Sequence, residues 1–428
     1  MLEKKMIGAM RSIAATVIAV VVAVVVGMSA AVTAWAADPI KVGFSMALTG
    51  SVAPNGKQIL LALEIWRDDV NAKGGLLGRP VELVYYDDQS NPSNVPTIYS
   101  KLISVDKVDL ILGPYATNMA AAAMPTITQN NKTTITMLAI GVNSHFNYDR
   151  YFSMVPVGPE GVKAFSRGFF ELAATQSPKP KTVALLAADA EFAKTASDGA
   201  RENAKAMGFD IVYDKTYPPT TTDFTAVVRS LQASNADAVF VAAYPPDTVG
   251  IVTAAHEVRL APKMFGGTMV GLLVTPIKMR LGPLMNGIVI MESFVPSPEF
   301  NFPGLQDVLA KYRVKAAGEK IDPFGYGFVP FAYAAGQVLA AAVTATKSLD
   351  HGKLAAYIHE NKFSTVAGEI AYNKNGDWTE PRTVFTQFQD VAPNDLEQFS
   401  KTDHQVILWP DKFKTGKMVY PYADAAKK

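Results

Sequence analysis

The stretch Asp109-Leu110-Ile111-Leu112-Gly113-Pro114-Tyr115-Ala116-Thr117-Asn118-Met119-Ala120 restricts the folds open to this chain more than any other. Asp109 to Leu112 is a short, largely apolar run, long enough for a buried parallel strand. Gly113-Pro114 is expected to stop it. Thr117 or Asn118 stands where a helix N-cap belongs, and the alanine run Ala120 to Ala123 is a good helix start. A strand that ends, turns and becomes a helix is one β-α unit. The first amides of that helix have no partner within it, and its dipole is positive there. A carboxylate could sit on them, with the Thr117 hydroxyl and the Asn118 amide beside it. An ordinary βα turn with a structural cap is the plainer reading, and both stay open at this point.

The same rhythm runs through the chain. Ile40 to Met46 is a strand, Thr49 to Gly56 a loop, and Gln58 to Asn71 a helix. Val81 to Tyr86 is a second strand, Asp87 to Pro92 a polar loop, and Val95 to Val105 a second helix. After the 109–120 unit, Thr133 to Ile140 is a fourth strand. The pattern then restarts. Strands are expected at 181–187, 209–213, 238–243 and 263–266, with helices at 193–207, 222–233 and after Asp247. Gly287 to Phe294 is another strand, Pro330 to Thr346 an apolar helix, and the tail carries strands at 368–372, 384–388 and 405–408. Strand–helix alternation predicts parallel sheets covered on both faces. Ligands of such sheets bind beyond the carboxyl ends of the strands. In the first half, four loops lie there: 46–56, 87–94, 113–118 and 139–143.

At 428 residues the chain has room for two or more domains. Charge is nearly balanced, at 40 Lys and Arg against 39 Asp and Glu, so a nucleic-acid partner is not expected. Lys4, Lys5 and Arg11 precede an apolar run from Ser12 to Val26, and Ala34-Trp35-Ala36 offers small residues for cleavage. Residues 1–37 therefore predict a cleaved signal peptide. They carry a net +2 and leave −1 for the rest. An uncleaved anchor is the other reading of that run. No later stretch is expected to span a bilayer. The chain has no cysteine, so it can hold neither a disulfide nor a thioether-linked lipid. A freely diffusing protein of a bacterial periplasm is expected, and a monomer.

Several motifs, with this architecture, resemble the periplasmic binding proteins that serve ABC transporters of branched-chain amino acids and related compounds. They are Ile40-Lys41-Val42-Gly43 with Thr49-Gly50, Val70-Asn71-Ala72-Lys73-Gly74-Gly75, and Tyr86-Asp87-Asp88-Gln89-Ser90-Asn91-Pro92. Leu112-Gly113-Pro114-Tyr115, Thr222-Asp223-Phe224-Thr225 and Tyr333-Ala334-Ala335 complete the set, in the family's order and spacing. The resemblance implies a type I periplasmic binding fold: two Rossmann-like α/β lobes joined by a three-stranded hinge. The crossings fall near Val155–Gly158, Ile290–Phe294 and Thr365–Gly368. The first lobe would be 38–157 plus 295–364, and the second 158–294 plus 365–428.

The resemblance also implies a site. A ligand carboxylate would be gripped by Thr117, with Asn118 beside it, and by the backbone of Ala139, Ile140 and Gly141. Aromatics at Phe192, Tyr244 and Phe328 would flank it, with Tyr326 a rival to Phe328 and Asn55 stacking nearby. Where amino-acid binders hold the ligand ammonium with a glutamate, this chain has Thr268. Gly141 replaces a hydroxyl residue, and Phe192 a tyrosine. The departures favour a small apolar or aromatic carboxylate without an α-amino group. An amino-acid ligand is the runner-up, with Asp189, Glu191 or Asp247 supplying the missing charge. The partners implied are the permease subunits of an ABC importer in the inner membrane. An exported sensing module for a membrane receptor is a further alternative.

Enzyme chemistry finds little support. Thiol nucleophiles are excluded, and the five histidines (145, 256, 351, 359 and 404) show no paired ligand spacing. Gly50 to Lys57 has five residues between its glycines where a phosphate loop has four. No Gly-x-Ser-x-Gly elbow occurs. Asp87-Asp88 reads as a cap on the strand edge rather than a cation site. No cofactor or metal is expected.

Overall fold

The computed structural model describes residues 38–319 and 321–425, so the signal-peptide expectation for residues 1–37 lies outside the described residues. Two sheets carry the fold. The first has five parallel strands: β1 (Ile40–Met46), β2 (Val81–Asp87), β3 (Leu110–Tyr115), β4 (Thr134–Met137) and β5 (Tyr151–Ser153), in the order β2-β1-β3-β4-β5. Helices α1 (Ala53–Ala72), α2 (Val95–Ser104) and α3 (Thr117–Gln129) make its first three crossovers. The second sheet has seven strands. β6 (Thr182–Ala188), β7 (Asp210–Tyr217), β8 (Ala238–Ala243), β9 (Met264–Met269) and β10 (Val289–Glu292) are parallel; β13 (Val384–Phe388) and β14 (Gln405–Trp409) close one edge antiparallel. Each sheet has its own core. Phe44, Leu112, Ile135 and Phe152 sit in the first, and Leu185, Phe240, Phe265 and Val289 in the second. This is the mixed α/β, two-lobed architecture expected.

Several boundaries differ from expectation, each for a local reason. β3 does not stop at Leu112 but runs through Gly113-Pro114 to Tyr115. Gly113 lies so close against Thr136 of β4 that a Cβ would collide with it, and the pairing register shifts between Leu112 and Tyr115. The break comes at Ala116, whose φ of 77° turns the chain into α3. Thr117 is therefore the first helical residue, not a cap, and no side chain caps this helix. α1 begins at Ala53 rather than Gln58, so Asn55 lies in its first turn and not in a loop. β4 ends at Met137, because Leu138 takes a φ of 55°.

The crossings differ too. Residues 155–158 form no strand; they run beside a later segment, with the Arg382 amide donating to the Pro156 carbonyl at 2.8 Å. The expected third crossing at Thr365–Gly368 is the turn of a hairpin, β11 (Phe363–Thr365) with β12 (Gly368–Ile370). Val366, Ile370, Tyr372 and Trp378 pack into the first core, so the chain stays with the first sheet past residue 365. Helices at Gly161–Ala174, Leu305–Glu319 and His351–Glu360 had not been expected. The apolar helix Val329–Thr346 is long and apolar enough by composition to cross a membrane, against the expectation that no later stretch would be; 67% of it is buried inside the protein.

Candidate functional site

The carboxyl ends of the two sheets face each other across a cavity of about 600 Å³ counting its mouth. The first sheet supplies Tyr115, Ala116 and Thr117 from the turn between β3 and α3, and Leu138 from beyond β4. The second supplies Phe192 at the start of its helix after β6, Tyr244 directly after β8, and Thr268 and Met269 at the end of β9. Met291 and Ser293 reach it from the β10 crossing, and Phe328 from the loop before the apolar helix.

Thr117 is buried at 2% exposure, and its hydroxyl accepts the Ile140 amide at 3.1 Å. This bond ties the helix start to the loop after β4. A hydroxyl that accepts keeps its own proton for another partner. Asn55 stands behind Tyr115: its side-chain amide donates to the Tyr115 hydroxyl at 2.6 Å. The Tyr115 proton is then free as well. Burial pushes the Tyr115 and Tyr244 phenols well above their usual range, so both remain neutral hydroxyls.

Five aromatic residues line the cavity: Tyr115, Phe165, Phe192, Tyr244 and Phe328. Tyr115 meets Phe328 edge-on at 5.6 Å, Phe192 meets Tyr244 at 5.7 Å, and Phe165 meets Phe192 at 5.9 Å. Edge-on pairs fix the rings in place and present one face of the box to the space between them. None of the fifteen lining residues is charged.

The structure thus brings together Thr117, Phe192, Tyr244, Thr268 and Phe328. It does not bring Asn55, Asn118, Ala139, Ile140 or Gly141 to the wall. Asn55 touches the site only through Tyr115, and Ile140 only through Thr117. Gly141 lines a separate depression with Asn143 and Glu160. Phe328 lines the cavity, whereas Tyr326 stacks flat on Phe324 and takes a hydrogen bond from Arg313. The acids considered as substitutes for a glutamate are engaged or turned out. Asp247 accepts the Tyr217 hydroxyl at 3.0 Å, Asp189 pairs with Lys194 at 3.2 Å, and Glu191 is exposed. Sequence reasoning missed Phe165, since the helix carrying it was not foreseen. Its signal was there: Ala164, Phe165, Gly168, Phe169 and Leu172 recur at helical spacing.

The acidic loop and three of the five histidines make structural contacts, while His145 and His256 are exposed. His351 Nδ1 accepts the Thr133 amide at 3.0 Å, and His359 and His404 bond backbone carbonyls. Asp87 accepts the amides of Leu48, Thr49 and Gln89; Asp88 accepts the Ser45 hydroxyl and the Ser90 amide. The pair caps the edge of β1 and β2. Among the described residues no cluster of metal-ligating side chains occurs.

A family model described as "Periplasmic binding protein" matches residues 39–390. The chain belongs to the periplasmic binding protein family. It is a solute-binding protein of the kind that serves ABC transporters, and not an enzyme. The Leu/Ile/Val-binding protein of Citrobacter freundii is 24% identical to it over 349 residues, covering 80% of this chain and 88% of the relative. Two solved structures share the fold. One is the branched-chain amino acid transporter substrate binding protein LivJ from Streptococcus pneumoniae in complex with isoleucine, with a TM-score of 0.72 at 20% identity, covering 87% of this binding protein and 100% of the other. The second is a solute binding protein of an ABC transporter from Rhodopseudomonas palustris in complex with p-hydroxybenzoic acid, with a TM-score of 0.72 at 21% identity, covering 91% and 100%.

Proposed function

We propose that this binding protein captures a small aromatic or apolar carboxylate lacking an α-amino group and hands it to the permease of an ABC importer. One observation carries the proposal: the cavity lining holds no charged side chain. An ammonium closed into it would have no counterion. Burying such a charge unpaired costs several kcal/mol; at ~4 kcal/mol that is roughly a thousandfold in affinity. A carboxylate is better served, because the free amides at the start of α3 and the Thr117 hydroxyl face it. The aromatic residues suit a flat ring.

Ligand docks on the first lobe through its acid group. The second lobe closes and brings Phe165, Phe192 and Tyr244 over the apolar part. Closure excludes water and strengthens the hydrogen bonds. Asn55 and Ile140 act by holding Tyr115 and Thr117. Ala139 and Gly141 take part only if the loop after β4 moves on closure, and Asn118 only if the first turn of α3 shifts. The protein works as an exported monomer in the periplasm after loss of residues 1–37. The amino-acid reading keeps a claim through the Leu/Ile/Val-binding name of its relatives. Calorimetry of the purified protein with benzoate and with leucine separates the two. Heat of binding with benzoate and none with leucine is expected; tight leucine binding with no response to aromatic acids would overturn the proposal.

A further inference from the structure

The cavity has two buried hydroxyls that nothing in the protein satisfies. Thr268 is 2% exposed at the end of β9, and its Oγ1 has no hydrogen-bond partner. Tyr244 follows β8, the strand beside β9, and its hydroxyl has none either. Both residues line the cavity, and both belong to the second sheet, facing the helix start that carries Thr117. Orphaned side-chain polar atoms are rare in folded proteins, because each loses its water and gains nothing in return. Two on one wall of one pocket point to a ligand.

Local structure holds both where they are. Gly266 and Gly267 in β9 pack so closely on the backbones of Val289 and Val241 that any side chain there would collide with the neighbouring strands. Thr268 is therefore fixed in register with Ala242 of β8. Tyr244 is held at the first turn of its helix, where its carbonyl accepts both the amide and the hydroxyl of Thr248, and its ring lies edge-on to Phe192. The strand packing fixes the Thr268 backbone, and the Tyr244 ring cannot turn away without losing its edge-on contact with Phe192. Valine would fill the volume of Thr268 at no polar cost, and phenylalanine that of Tyr244.

We infer that the ligand carries a hydroxyl group at the end remote from its carboxylate, and that Thr268 and Tyr244 bind it. The inference rests on the aromatic-carboxylate reading above and narrows it to hydroxylated aromatic acids. One hydroxyl donates one hydrogen bond and accepts up to two, so a single phenolic group satisfies both side chains. An ammonium would not match, since two neutral hydroxyls bring no compensating charge.

The test compares benzoate, 4-hydroxybenzoate, 3-hydroxybenzoate and leucine by calorimetry on the wild-type protein, on Thr268→Val and on Tyr244→Phe. Wild type is expected to bind one of the hydroxylated acids at least ~10-fold more tightly than benzoate, as a site built around hydrogen bonds discriminates against the analogue lacking the group. In each variant the ratio of the two affinities should fall toward one. Equal affinity of the wild type for benzoate and both hydroxybenzoates overturns the hydroxyl subsite and leaves the aromatic-acid reading standing. Binding of leucine alone overturns both. A preference for the hydroxylated acid that survives unchanged in either folded variant also overturns the assignment to these two residues, and the wild-type comparison stands even where a variant fails to fold.

Discussion

The Thr117 hydroxyl accepts the Ile140 amide while keeping its own proton for a ligand. Thr117→Ala removes both functions. Its affinity for the preferred acid should fall by about 1–3 kcal/mol, the cost of taking a hydrogen-bond donor from a charged acceptor. Titration calorimetry reads this directly, and unchanged affinity would mean that the carboxylate sits elsewhere. His351 gives a second prediction, far from the ligand. Burial, with Lys132 and Arg150 nearby, lowers its pKa to about 4, and its Nδ1 accepts the Thr133 amide. A base whose folded pKa lies below its usual 6.5 contributes stability in full above that value and loses it as pH falls toward 4. The melting temperature should therefore begin to drop below about pH 6.5. His351→Asn, whose amide oxygen can still take the Thr133 hydrogen bond, should lose less over the same range in a thermal-melt series.

At the scale of elements, β10 divides its side chains between two environments. Alternation along a strand sends Met291 and Ser293 to the cavity and Glu292 to the other face. There Glu292 pairs with Lys278 at 3.6 Å and accepts from Gln405, while Lys278 donates to Gln405 at 2.9 Å. Helix Thr275–Leu281, β10 and β14 are joined by this buried network. Burial raises the Glu292 carboxyl to about 7 against the pull of Lys278. Its contribution to stability is thus full below 4.5 and lost as pH rises through about 7. Lys278→Met leaves that carboxyl alone in the core. It should destabilise by about 3–5 kcal/mol near pH 8 and by less near pH 5, where Glu292 holds its proton. Urea unfolding at the two pH values measures the difference; equal losses would mean that the ion pair is not what holds these elements.

For the whole molecule, the site lies between two separate cores, and a segment between them carries a buried carboxylate. Asp322, in the segment leading to Phe328, is 3% exposed and accepts from the Thr275 amide and hydroxyl as well as from Phe324 and Gly325. This carboxylate links the loop before the apolar helix to the helix that follows β9. If the lobes close around the ligand, small-angle scattering should give a smaller radius of gyration with ligand than without; identical curves at saturation would argue for a rigid site. Much of this organisation was legible in the residues. Strand and helix periods, with glycine and proline between them, dictate parallel β-α units, because apolar strands must be covered on both faces. Thr117 is legible in the strand–turn–helix pattern of its own segment, whereas Phe192, Tyr244 and Phe328 are implied only by the family resemblance. Other features depend on residues distant in the chain. β3 continues past Gly113 because Thr136 lies against it, and residue 365 stays with the first sheet because Trp378 and Ile370 pack there. Phe165 joins the box only once its helix docks beside Phe192. Local residue pattern sets the repeating unit and the chemistry available at each strand end. Which of those ends meet in one cavity, that no charge lines it, and that two hydroxyls there lack partners all follow from long-range packing, since burial and pairing arise between segments that local pattern cannot relate.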